Sequence, residues 1–321
     1  MQRRDLLRGL AGGAITTALG CRRTGHRAPL IAIIIPSQDN AFFKTEGDAA
    51  AARATALGYR VRVDAHNNDA YRQDNLIDTA IAANAAALIL DNAGSDASVA
   101  AVRRATNANV ACFLIDRDID ATGYAKAQIV ADNDQGARLV AAEFARALHQ
   151  RGDYAELLGL ESDTNAQVRT RGFHAVLDQL PALRLVSAQA ANWSQAEAFQ
   201  KTETILQANA HLAGIIAGND TMALGAAAAV RGAGRTDITI TGFDGSPDAV
   251  EAIRRGELQA TALQPAVLIA NAAIDQAHRY LKTRSTGQPE MQRIPCSLVT
   301  RANADDFVNF QQVLPPTRST P

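Results

Sequence analysis

From residue 29 onward, short apolar runs alternate with longer amphipathic segments. LIAIIIP (30–36) is apolar throughout, the pattern of a strand buried on both faces of a parallel sheet. A helical pattern over 42–57 follows, and Gly58 stops it. YRVRVDA (59–65) alternates charges with valines, which predicts an edge strand. A helix is expected over 70–83, then strands at 86–92 and 110–116 with a helix between them. AQIVADN (127–133) completes this half. The second half repeats the pattern, with strands at 155–161, 184–190, 212–218 and 238–245 and helices around 135–150, 166–179, 195–208 and 220–231. A strand at 260–264, a helix at 266–283 and a short strand at 295–300 follow, and the tail 311–321 is expected to be loose. Alternating βα units with short connections imply α/β architecture, with parallel sheets covered by helices on both faces. Roughly ten strands are too many for one small doubly wound sheet, so two similar doubly wound domains are expected. In such sheets ligands bind beyond the carboxyl ends of the strands.

Composition narrows the function. At 321 residues there is chain enough for two cores, and 47% hydrophobic with 20% charged residues is a globular balance. The formal net charge of -1 points away from nucleic acid and from anionic membranes and suits a neutral ligand. Cys112 and Cys296 sit in apolar runs and read as small buried hydrophobes. There is no CxxC pair, so neither a metal site nor a disulfide framework is expected.

The first residues read as an address. Arg3 and Arg4 form a twin-arginine pair, followed by a Gly- and Ala-rich apolar stretch from Leu10 to Leu19 that is too short to span a bilayer. This order marks an export signal. Ala18-Leu19-Gly20-Cys21 resembles a bacterial lipobox, with Ala18 where leucine is usual. It implies lipidation at Cys21 and a location in the cell envelope; cleavage as an ordinary signal peptide is the alternative. Residues 1–28 are therefore signal and tether.

The strand ends carry a coherent set of groups: Asn40, Phe42 and Phe43 after the first strand, Asn92, then Asp116 and Arg117, Arg169 with Arg171, Trp193, Asn219 beside Asp220, Asp244 and Gln264. Carboxylates and amides satisfy sugar hydroxyls, arginine adds fixed forked donors, and aromatic rings cover C–H faces. Taken singly, each is as easily a helix cap or a core residue. Presented together at successive strand ends, they point to a monosaccharide.

At these residues the chain resembles the ribose-binding-protein family of periplasmic sugar-binding proteins. The match spans roughly Pro29 to Thr300, through DNAFF, LIDR, VADN, VRTRGF, GNDTMALGA, TGFDGSPD and ATALQ. The resemblance implies a type I periplasmic binding protein fold, two lobes joined by three strands. The lobes would be 29–131 with 265–293, and 132–264 with 294–310. It implies that Asn40, Asn92, Asp116, Arg117, Arg169, Asn219, Asp244 and Gln264 hydrogen-bond the sugar and that Phe42 and Phe43 form its aromatic platform. Trp193 stands where ribose-type proteins carry Phe, as in relatives that bind hexoses such as allose, so a pentose or a hexose is implied. The SDTNAQ stretch before Val168 departs from the Gly/Ala-rich family version. The implied partner is an ABC permease, with a chemoreceptor or sensor kinase as the alternative, and the protein is expected to act as a monomer without a cofactor.

An enzyme is the first rival reading. None of the six histidines lies at a predicted strand end beside a Ser or Cys nucleophile, and HExxH, GxSxG and GxxxxGK[ST] are absent. Asp116 and Asp244 would be the acid–base pair of a sugar-processing enzyme. A sugar-responsive repressor would need an N-terminal helix-turn-helix, but here the core begins by residue 30 behind an export signal. No catalytic residue is assigned.

Overall fold

The computed structural model describes residues 27–312. The expected leader, with Arg3, Arg4 and Cys21, and the tail beyond Gln312 lie outside the described residues. In chain order, the first half runs β1 (Leu30–Ile35), α1 (Ala41–Ala56), β2 (Arg60–Ala65), α2 (Ala70–Ala82), β3 (Ala87–Leu90), α3 (Val99–Asn107), β4 (Ala111–Ile115) and β5 (Ala127–Ala131). The second runs α4 (Asn133–Ala147), β6 (Gly152–Leu158), α5 (Thr164–Leu177), β7 (Leu183–Ala190), α6 (Gln195–Ala208), β8 (Leu212–Ala217), α7 (Asp220–Gly232), β9 (Thr239–Thr241), α8 (Pro247–Arg255) and β10 (Ala260–Leu263). Then come α9 (Ala266–Thr283), β11 (Met291–Ile294), β12 (Ser297–Thr300), a short 3-10 turn (Ala304–Asp306), β13 (Phe307–Val308) and β14 (Gln311–Gln312).

The strands form two six-stranded sheets, ordered β11-β5-β4-β3-β1-β2 and β12-β10-β9-β8-β6-β7. Every described pairing within them is parallel except β10 with β12. β1 shows why its sequence is apolar throughout. All six of its residues are buried, with Ile31, Ile33 and Ile35 facing one cluster and Leu30, Ala32 and Ile34 another on the opposite face. β2 is an edge, as its charges predicted: Val61 and Val63 pack inward, and Arg62 pairs with Asp64 on the same strand. The chain passes between the sheets three times, after β5, after β10 and after β11.

The structure departs from the sequence expectation in four places. β9 ends at Thr241, because the chain turns sharply through Asp244 and Gly245, both at positive φ. α8 was not expected. Ser246 caps it, Pro247 opens it and Gly256, left-handed, closes it, three strong helix signals around only nine residues. β11 completes the first sheet beside β5, where no strand was foreseen. Gln311 and Gln312, assigned to the loose tail, pair with β13.

Candidate functional site at the lobe interface

The carboxyl ends of both sheets face each other, and the loops beyond them line a small, partly open cavity. The β1–α1 and β4–β5 loops contribute from the first lobe, and the loops after β6, β7, β8 and β9 from the second, with Gln264 at the crossover after β10. Ten of the eleven sequence-predicted residues line it: Asn40, Phe42, Phe43, Asp116, Arg117, Arg169, Trp193, Asn219, Asp244 and Gln264. Several also serve the fold. Asn40 caps α1 through Phe42 N–H, and Asn219 caps α7 through Met222 N–H. Arg171, two positions from Arg169 on α5, is exposed, because residues two apart on a helix face away from each other.

Asn92 is the exception. It is fully buried but not in the cavity wall. Its amide donates to the carbonyls of Arg117 and Asp118 and accepts from Gly94 N–H. The side chain holds the loop that carries Arg117 and does not reach the cavity wall. Asp163 and Asn165, not foreseen, do line the cavity. Asp163 is the N-cap of α5. The signal lay in the SDTNAQ segment, where an Asp precedes a helix at a strand end.

Two arginines organise the polar groups. Arg169 Nη1 donates to Gly218 O (2.8 Å) and Asp244 Oδ1 (3.1 Å), its Nε donates to Asn133 Oδ1 (2.8 Å), and its guanidinium stacks 3.9 Å from the centre of Phe243. Gln264 Nε2 also donates to Asp244 Oδ1, while its Oε1 is buried without a protein donor. Arg117 is 1% exposed. Its Nε lies 2.7 Å from Asp163, 3.5 Å from Asp91 and 3.8 Å from Asp116. Its Nη1 donates to Asn68 Oδ1 and Asn92 O, leaving Nη2 without a protein acceptor. Behind it, Glu46 and Asp91 are fully buried with no protein donor to any carboxyl oxygen. Burial, and after it repulsion from neighbouring carboxylates, pushes both carboxyls well above the usual range. The neutral ring of His66, lowered to about 4 by burial, accepts from Asn68 N–H and donates to Asp91 O, fixing the loop that offers Asn68 to Arg117.

Contacts cross the cleft at several points. Asn165 Nδ2 donates to Asp116 Oδ1, Thr164 Oγ1 donates to Asp118 Oδ1, and Arg117 pairs with Asp163. Phe42 packs edge-on against both Phe43 and Phe310. The lobes are therefore closed on each other. Asp116, Trp193 and Asp244 all have positive φ (58°, 63° and 118°), which costs energy in non-glycine residues and concentrates at working sites. Trp193 lies in a slot made by two glycines: a Cβ on Gly159 would stand 2.0 Å from the indole, and one on Gly218 3.1 Å. Burial lifts Asp116 and Asp244 to about 7. Hydroxyl groups donating to these carboxylates would favour their charged form. Acceptors, forked donors and flat rings thus surround one small space, the arrangement that a polyol ring satisfies. Among the described residues, no group of three or more His, Cys, Asp and Glu is placed to hold a metal.

Residues 31–285 match the family model described as a periplasmic binding protein domain. The chain belongs to that periplasmic family. It is 54% identical over 303 residues to the D-apiose import binding protein of Paraburkholderia graminis, covering 94% of this chain and 96% of that one. The D-apiose import binding protein of Actinobacillus succinogenes is 51% identical over 88% of this chain and 91% of that one. A solved ABC transporter periplasmic solute binding protein of Actinobacillus succinogenes 130z, with bound D-allose, superposes with a TM-score of 0.82 at 27% identity, covering 87% of this chain and 100% of that one. This periplasmic binding protein is a sugar-binding component of the ABC-transporter class, and its relatives are named for import rather than catalysis.

Proposed function

We propose that this periplasmic binding protein captures D-apiose and delivers it to an ABC permease. The similarity at 54% identity to a D-apiose import binding protein carries the reading. The chemistry of the cavity supports it. D-apiose is a branched pentose whose four-carbon main chain closes only to five-membered rings, and the cavity between the lobes is small and walled on one side by a full indole. Asp116, Asp244 and Gln264 Oε1 accept from ring and branch hydroxyls, Arg117 Nη2 and Arg169 donate, and Phe42, Phe43 and Trp193 cover the C–H faces. The lobes, 29–131 with 265–293 and 132–264 with 294–310, hinge at the three crossovers. Sugar bridging both lobes favours the closed form. The lipobox-like segment supports anchoring through Cys21, which intact-mass analysis of the exported protein tests.

The deciding experiment is titration calorimetry and thermal shift of the mature protein with D-apiose, D-ribose, D-allose and myo-inositol. D-apiose should bind most tightly and, at 100 times its dissociation constant, add about 2.7 kcal/mol of stability. Preference for D-allose or D-ribose would refute the assignment.

A further inference from the structure

Asp163 lines the cavity, yet both of its carboxylate oxygens are taken by the protein. Oδ1 accepts from Asn165 N–H (2.9 Å) as the cap of α5. Oδ2 accepts from the indole N–H of Trp193 (3.1 Å) and lies 2.7 Å from Arg117 Nε. The three partners differ in origin. Asn165, in the first turn of α5, and Trp193 lie, like Asp163, beyond the second sheet, whereas Arg117 comes from the end of β4 in the first. The indole contact therefore survives opening of the cleft, and the arginine contact exists only when the lobes meet. Asp163 is 3% exposed and Trp193 7% exposed, so the indole hydrogen bond and the arginine ion pair are both made away from water, where salt and solvent screen them little.

We propose that Asp163 is a positioning residue that couples closure to the cavity wall: it holds the Trp193 indole over the sugar and latches it to Arg117 of the opposite lobe. This rests on the reading of the cavity as the sugar site but not on the identity of the sugar. Removing the negative charge while keeping the shape breaks both contacts at once. In Asp163→Asn the amide oxygen can still cap α5, since Asn caps as well as Asp. Its NH2 group then faces two other donors, the indole N–H and the guanidinium.

Trp193 is the chain's single tryptophan, so intrinsic emission reports this one position. Two measurements on wild type and Asp163→Asn test the proposal. In the sugar-free proteins, acrylamide should quench Trp193 at least about twofold more strongly in the variant, because its indole loses its anchor; equal quenching, at equal melting temperature, would overturn the anchoring whichever sugar binds. With D-apiose, stopped-flow emission should show affinity weakened by roughly 30-fold or more, chiefly through faster dissociation, as expected when a buried charge pair loses one partner. Affinity within about threefold of wild type would overturn the latch. A wild type that ignores D-apiose refutes the ligand assignment alone, and the same comparison then runs with whichever of D-ribose, D-allose or myo-inositol it binds best.

Discussion

Arg117→Ala should destabilise the first lobe even with no sugar present. The guanidinium side chain is 2% exposed, within 3.5 Å of Asp91 and 3.8 Å of Asp116, with Glu46 buried alongside. All three carboxyls belong to the first lobe, so their need for a cation does not depend on closure. Taking one partner out of a buried ion pair costs about 3–5 kcal/mol, because the charge left behind has no compensation. For a protein of this size that is a fall in melting temperature of roughly 10 °C. The stranded carboxyls can escape by taking up protons, and each proton becomes cheaper to bind by about 1.4 kcal/mol per unit of falling pH. The penalty should therefore be largest near pH 8 and shrink towards pH 5.5. Circular-dichroism melts of sugar-free wild type and variant at both pH values measure it. A loss below about 1 kcal/mol at pH 8, or the same loss at both values, would refute the view that Arg117 neutralises this cluster.

Gly159→Ala should reduce sugar affinity sharply and cost about 1–3 kcal/mol of stability by overpacking, since the added methyl would stand 2.0 Å from a rigid indole already backed by Gly218. Calorimetry and urea melts check both, and an unchanged emission spectrum in the variant would contradict the close approach. Sugar-free wild type should melt at higher temperature as pH falls from 8 to 5. Burial inside the second lobe, away from the cleft, lifts Asp220 to about 7, so between that value and the ordinary ~3.9 of an unfolded aspartate the native state binds more protons. Linkage then makes stability fall as pH rises through this window. A melting temperature that climbs with pH there would show that this carboxyl does not keep its proton.

The strand order and most of the site were legible because they depend on local pattern. β1 announces itself by six consecutive apolar residues, and a ligand group at the end of a parallel strand is placed by topology before any contact is known. Ten candidate residues converge for that reason. What stayed hidden depends on distance in the chain. Asn92 sits at a strand end like the others, but its amide turns back to carbonyls 25 and 26 residues away. Nothing in the run ALILDN tells a ligand-facing amide from one that ties two loops together. Likewise Arg117 reads as a free donor, whereas its carboxyl neighbours come from positions 46, 91, 116 and 163. Asp163 was masked by reading its segment only as a departure from the family pattern. α8 and β11 were missed for another reason: at nine and four residues they are too short for periodicity to stand out against the neighbouring turns.

The path of the chain between the sheets has a consequence for synthesis. The first sheet's edge strand β11, and the helix α9 that packs on its core, are made only after all of β6 to β10. The second sheet's edge strand β12 follows three residues later. A ribosome-bound chain holding residues 30–131 thus lacks one border of its sheet and part of the helical cover on the face that α1 and α9 share, and must wait for more than a hundred further residues before either lobe can be finished. Both halves become complete almost simultaneously, as β11 and β12 emerge one after the other. Shortened chains ending before Met291 would leave each sheet with an open edge, inviting self-association rather than yielding one intact half.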